Sequence, residues 1–202
     1  SAIFPRLVYE DEKSENDIAE NATRALVTVM TPIVMIGIVL INPFLVLWIG
    51  EEFALESTSV GELLLMGVWF NSIAYVYHAK ILAINSPKTL ALVYLFEIPI
   101  YFVLLWIGLT LFGIIGAAGA WTLRVLMDTI IILYLSEALA KTVTYLVVPF
   151  IVVFFTLMTV VLFDDNSFIS WSIFIILLGI ILIYDKKQIL IIFNKAKLFK
   201  RA

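Results

Sequence analysis

Apolar runs long enough to cross a lipid bilayer recur along this chain. An α-helix needs about 20 mostly apolar residues to span the hydrocarbon core. Six such stretches stand out in the 202 residues, at about 24–48, 60–84, 89–111, 114–136, 142–163 and 168–184. In lipid the backbone has to satisfy its own hydrogen bonds, so runs of this length form helices. The pattern predicts an all-α, polytopic transmembrane bundle of about six spans. The connectors are short and hold turn signals: Asn85-Ser86-Pro87, Gly113, and Asp164-Asp165-Asn166. Spans joined this closely are expected to be antiparallel neighbours.

Composition closes off the other fold classes. Hydrophobic residues make up 63% of the chain, charged residues 14%, and the mean hydropathy is +1.09. A soluble domain carries about 45–50% apolar and about 25% charged residues. A soluble fold of this size cannot hide the excess, because a 150-residue domain buries only about 70% of its unfolded surface. Disorder needs low hydrophobicity, and a disulfide scaffold needs cysteine, of which there is none.

The net charge of -3 says little, but the placement of the charges says more. Lys and Arg accumulate in cytoplasmic loops. Twelve of the 13 basic residues fall in alternate loops and the tail: Arg6, Lys13 and Arg24, then Lys80 and Lys88, then Lys141, then six from Lys186 to Arg201. The intervening loops hold Glu51, Glu52, Glu56, Asp164 and Asp165 and no basic residue. Both termini are therefore expected in the cytoplasm. Residues 1–8 read as the end of a helix whose start is missing, 9–23 as a cytoplasmic loop, and 185–202 as a basic cytoplasmic tail. The chain reads as a piece of a longer protein. Membrane lipids are its expected surroundings; no nucleic acid and no cofactor are expected.

Ionisable residues inside spans are costly, about 2.5–3.5 kcal/mol each at a helix centre, and usually face a bundle interior or a wet cavity. Three are singled out: Glu97, Arg124 and Asp128. Arg124 and Asp128 are four apart and share a helix face. Counted from the turn at Gly113, Glu97 and Asp128 fall at similar depth, about 12 Å from the cytoplasmic end at 1.5 Å per residue. Arg124 lies one turn deeper, level with Tyr101. A Glu97–Arg124–Asp128 cluster between the 89–111 and 114–136 spans is predicted. Its bland reading is mutual neutralisation that aids insertion; its functional reading is the wall of a polar cavity meeting a charged substrate or coupling ion.

A second polar stripe, Asn71, Tyr75, His78 and Leu82, lies on the 60–84 span. Asn71 reads first as interhelical hydrogen-bond glue. His78 is the single histidine, which excludes a multi-histidine metal site. Lys80 is expected to snorkel to the interface. Gly113, Gly116, Ala117 and Ala120 form small-residue faces that let helix backbones approach. No Ser/His/Asp set, metal-ligand cluster or phosphate-binding loop can be assembled, and the acidic pairs Glu51-Glu52 and Asp164-Asp165 mark helix ends. The chain is not expected to be an enzyme.

Three segments carry a resemblance. Phe4-Pro5-Arg6-Leu7 precedes a polar loop; Leu47-Trp48-Ile49-Gly50-Glu51-Glu52-Phe53-Ala54 follows the next span; and a later span opens with Gly113-Ile114-Ile115-Gly116-Ala117-Ala118-Gly119-Ala120-Trp121-Thr122-Leu123-Arg124. In order and spacing they resemble the C-terminal half of O-antigen-type polysaccharide flippases, within the MATE-like multidrug/oligosaccharidyl-lipid/polysaccharide exporter superfamily. The resemblance covers about 1–136. It implies two bundles around a central cavity, one of them an N-terminal bundle outside this sequence. It further implies a lipid-linked oligosaccharide, typically on undecaprenyl diphosphate, carried to the periplasmic leaflet for polysaccharide biosynthesis. Family cavities are typically cationic, a role that Arg124 matches, with Arg6 and Arg24 behind it. The two acidic neighbours of Arg124 depart from that pattern and could instead carry coupling protons. A drug or metabolite exporter of the same superfamily is the alternative within transport. A membrane-embedded polymerase or glycosyltransferase would want a large outer loop, and a non-transporting assembly partner would tolerate loss of the buried charges.

Overall fold

The computed structural model describes residues 12–84, 87–163 and 168–199. Six α-helices account for them, with no strand among the described residues: α1 (Glu12–Trp48), α2 (Glu51–Ile84), α3 (Pro87–Leu135), α4 (Leu139–Leu162), α5 (Phe168–Tyr184) and α6 (Lys186–Phe199). The first four are long and apolar enough to cross a membrane. Helix α5 is apolar but shorter, at 17 residues. The 1–8 stub with Arg6, Asn85-Ser86, the Asp164-Asp165 pair and Lys200-Arg201 lie outside the described residues.

Helix α3 is two limbs rather than one rod. Its 49 residues would extend about 74 Å if straight, and residues 27 apart would sit about 40 Å apart. Arg124 nevertheless bonds to Glu97 at 3.1 Å. The chain reverses at Gly113, whose φ of 60° and ψ of -141° are open to glycine and strained for other residues. The first limb, 87–112, therefore runs antiparallel to the second, 114–135. At the crossing, Gly108 and Gly116 face each other. A Cβ on either would collide with the other's backbone carbonyl. The small-residue face predicted around Gly113 serves this hairpin, with Gly116 at the contact.

The second limb docks on α2. Thr122 donates from Oγ1 to the Leu63 carbonyl at 2.7 Å, and Thr129 Oγ1 shares its hydrogen between the Val125 carbonyl of its own limb at 2.8 Å and the Phe70 carbonyl at 3.1 Å. Helix α1 lies along α2 and also meets α4. The bundle core runs through Val34, Met35, Ile38, Trp69, Ile73, Val76, Ile132 and Val153. The Trp69 indole would carry an unsatisfied N–H in this apolar setting. It donates to Thr31 Oγ1 at 3.0 Å, which itself donates to the Val27 carbonyl at 2.7 Å. Helix α4 joins through Thr142, bonded to the Tyr77 hydroxyl at 3.3 Å, and through Phe150, whose ring lies tilted against Trp69 and Phe70.

Two helices begin earlier than the apolar runs indicated. Helix α1 starts at Glu12, so the described part of the stretch read as a cytoplasmic loop is helical. Ala19 and Thr23 there are fully buried; hydropathy hides this because acidic residues occupy the turns between them. Helix α2 starts at Glu51, with Glu51 and Glu52 in its first turn, where the helix dipole favours acids.

Candidate functional site

The α3 hairpin brings together the charged residues that its apolar sequence makes conspicuous. Arg124 Nη2 donates to Glu97 Oε2 at 3.1 Å. Asp128 follows one helical turn on, and its carboxyl lies within hydrogen-bonding reach of the Glu97 carboxyl. Both acids are buried, Glu97 at 4% and Asp128 at 9% exposure. The predicted three-residue cluster is thus assembled between the two limbs.

Its bonding is incomplete in an informative way. Glu97 Oε1 and Asp128 Oδ1 are buried and receive no hydrogen bond. Two ionised carboxylates cannot donate to each other, since each is an acceptor only. One guanidinium faces two acids, and it uses one N–H bond on them. Arg has five N–H donors in a planar fork, and the Arg124 side chain remains 32% exposed. A guanidinium so placed can engage a carboxylate or phosphate through two parallel bonds. Beside the cluster, Tyr94 stacks on His78 with ring centroids 6.1 Å apart, linking α2 to the first limb.

The other candidates separate from this cluster. Tyr101 is half-buried and packs on its neighbour Phe102, with no hydrogen bond to Arg124. Asn71 is exposed on α2 and makes no interhelical hydrogen bond among the described residues. Tyr75 on the same stripe is also exposed, which leaves His78 as the member that reaches the hairpin. The 3.6-residue period placed these residues on one face but could not say which way that face turns. Lys80 is buried rather than snorkelled; its Nζ donates to Asn16 Oδ1 on α1. The early start of α1 puts Asn16 within reach, which a loop would not have done.

Arg24 belongs to a different place. It pairs with Glu20 at 2.9 Å and covers the Tyr145 ring at 4.6 Å. It lines a cavity of about 200 Å³ with Thr28, Tyr145, Tyr184, Asp185 and Lys187. Two buried acids went unremarked in the sequence. Glu62, 3% exposed, interrupts the 60–84 run two residues from its start and was visible there as the run's single acid. Asp185, 9% exposed, opens the basic tail, where nothing in the sequence distinguishes it from a solvated turn. Among the described residues no group of three or more His, Cys, Asp or Glu side chains could hold a metal ion.

No family model matches the chain, and no solved structure does. A curated relative does: the chain is 29% identical over 137 residues to a Shigella flexneri protein described as "Putative O-antigen transporter". The match covers 66% of this chain and 32% of the relative, so the aligned stretch spans about a third of that protein's length. Over most of its length, then, this chain is similar to an O-antigen transporter.

Proposed function

We propose that this chain forms part of a MATE-like polysaccharide flippase. The lipid-linked oligosaccharide, carried on undecaprenyl diphosphate, would be moved from the cytoplasmic to the periplasmic leaflet of the inner membrane. The observation that carries the reading is Arg124: a guanidinium at membrane depth, held by Glu97, with a third of its side chain open. A charge at that depth is costly unless it faces a polar cavity or a partner. The diphosphate of the carrier lipid is an anion of matching geometry. The relative's description as an O-antigen transporter points to the same substrate class, and the one-sided distribution of Lys and Arg gives the cytoplasmic side.

In this reading the chain crosses the membrane about six times, with α3 contributing two crossings and α5 a short last one. It supplies most of one bundle, and a second bundle completes the cavity. Rocking of one bundle against the other would expose the cavity to each side in turn. The chain carries out no covalent chemistry. The surplus of acid around Arg124 favours a second role in the same cycle. A proton held between Glu97 and Asp128 would supply the hydrogen bond that both carboxyls lack, and its release would couple substrate movement to a proton gradient. The same surplus is what a cation exporter of the superfamily would use.

The test is complementation in a strain lacking its own O-antigen flippase, using the complete protein and reading surface polysaccharide. Arg124→Ala is expected to abolish surface glycan at normal membrane abundance. Arg124→Lys keeps the charge but loses the fork, and is expected to give a partial phenotype. Glu97→Gln keeps the shape and removes one acid; it is expected to slow export and change its pH dependence. Wild-type glycan from all three variants would overturn the reading. Loss of cation export with intact glycan would favour the exporter instead.

A further inference from the structure

The cavity at the basic end of the bundle is separate from the Arg124 cluster and is built from four helices. Arg24 and Thr28 come from α1, Tyr145 from α4, Tyr184 from the end of α5, and Lys187 from α6, with Asp185 at the α5–α6 junction. Three of its polar atoms are buried without hydrogen-bond partners: Asp185 Oδ2, Arg24 Nε and the Tyr145 hydroxyl. Asp185 is nine-tenths buried, and its Oδ2 receives no hydrogen bond. The Nε of Arg24 is buried and likewise unbonded, although Nη2 is engaged by Glu20. Buried polar groups are normally paired, and each exception calls for a missing partner. Here the missing partners are of opposite kinds. Arg24 Nε calls for an acceptor and Asp185 Oδ2 for a donor, and the exposed Lys187 lines the same cavity.

The geometry points to a headgroup site for a phospholipid that carries both a phosphodiester and a primary ammonium group. The phosphate would sit against Arg24 and Lys187, and the ammonium would donate to Asp185 beside the Tyr184 ring. Cations and aromatic faces attract one another, and the ring of Tyr145 is already taken by Arg24. The cavity lies where the basic tail begins, at the end that the Lys and Arg distribution assigns to the cytoplasmic leaflet. The mixed polar and apolar walls suit a group at the boundary between headgroups and acyl chains. An anionic lipid would satisfy Arg24 and Lys187 but leave Asp185 facing like charge. A quaternary ammonium lipid would balance the charge but bring no N–H to Asp185.

Burial pushes the Asp185 carboxyl above its ordinary range, with the Thr28 hydroxyl partly offsetting it. The charged and titratable groups lining the cavity with it are Arg24 on α1, itself paired with Glu20, Tyr145 on α4, Tyr184 on α5 and Lys187 on α6. Asp185 therefore takes up a proton at a higher pH than a free aspartate does, and recognition of the ammonium fades from that pH downward.

The test is lipid retention by the whole purified chain, read by native mass spectrometry after exchange into mixtures of phosphatidylethanolamine, phosphatidylglycerol and phosphatidylcholine. Phosphatidylethanolamine is expected to be retained about tenfold over either competitor. Asp185→Asn is expected to erase that preference, and Lys187→Gln to weaken phosphatidylethanolamine and phosphatidylglycerol alike. Retention should fall on acidification. Several results would overturn the assignment: equal or stronger retention of phosphatidylglycerol, an unchanged ranking in Asp185→Asn, or retention flat down to pH values where free aspartate titrates. Displacement by soluble glycerophosphoethanolamine as readily as by the lipid would assign the site to a water-soluble ligand and also overturn it. If Asp185→Asn does not yield a monodisperse protein, the wild-type ranking decides alone. The assay involves no transport, so failure of the flippase reading would leave its outcome untouched.

Discussion

The two limbs of α3 have similar apolar sequences and opposite surroundings. The second limb buries Ala118, Ala120, Thr122, Val125, Asp128, Thr129, Ile132 and Leu133. The first buries only Leu90 and Glu97, while Phe96 and Trp106 stand about 70% exposed. The difference lies in side-chain size and in hydroxyls. Small residues and threonines in the second limb let it close on α2 and donate to α2 carbonyls. Bulky aromatics in the first limb leave it on the outside of the bundle. Glu97 is the one charged residue buried on this outward limb. It is buried because Arg124 and Asp128 meet it across the hairpin, which makes the hairpin itself the device that forms the cluster.

The severest way to break this comparison is to force the limbs apart. Gly116→Val is expected to abolish a monodisperse size-exclusion peak. Its side chain must displace backbone at Gly108, and overpacking costs about 1–3 kcal/mol even where side chains can yield. Gly119→Ala, whose Cβ meets open space, should leave the peak unchanged. If both variants elute alike, the limbs do not cross at Gly108 and Gly116.

Removing the bridge comes next. Breaking a buried ion pair costs about 3–5 kcal/mol. Because the Arg124 side chain is 32% exposed and part of its charge is hydrated, Arg124→Ala is expected to cost about 2 kcal/mol in denaturant unfolding. Adding Glu97→Gln should recover part of that loss, since it removes an acid left unpaired. A double variant less stable than Arg124→Ala would mean that Glu97 is held by something other than the guanidinium.

A smaller effect sharpens the comparison on the buried limb. Thr122→Val keeps the shape and loses the bond to the Leu63 carbonyl; interhelical bonds of this kind in membranes average about 0.6 kcal/mol. The smallest effect is expected on the outward limb. Trp106→Ala should change the stability of this chain by less than about 0.5 kcal/mol, as surface substitutions usually do. A larger loss there would show that the outward face is covered within the folded chain.

Much of the architecture was legible because membrane helices are written in long apolar runs. The break at Gly113 was legible as well, since the spacing of Glu97, Arg124 and Asp128 about it predicted the cluster that the hairpin forms. The surroundings of Asn71 and Lys80 were not legible, because periodicity places residues on a common face but carries no information on which neighbour that face meets. The helical stretch before Arg24 was missed because its buried Ala19 and Thr23 are too few and too small to register as hydropathy. Asp185 was not legible because its surroundings include Thr28 of α1 and Tyr145 and Pro149 of α4, all more than 30 residues away along the chain.

By itself, then, the sequence determined that this protein is helical, that it belongs in a membrane, and which end carries the positive charge. Those properties follow from transfer free energies and backbone hydrogen bonding, which act residue by residue. The tertiary structure decided which of two equally apolar limbs turns inward, that Arg24 and Arg124 serve different places, and that an acid at the start of a basic tail is sealed against four helices. Those outcomes depend on side-chain volume and on partners distant in the chain, which no local pattern records.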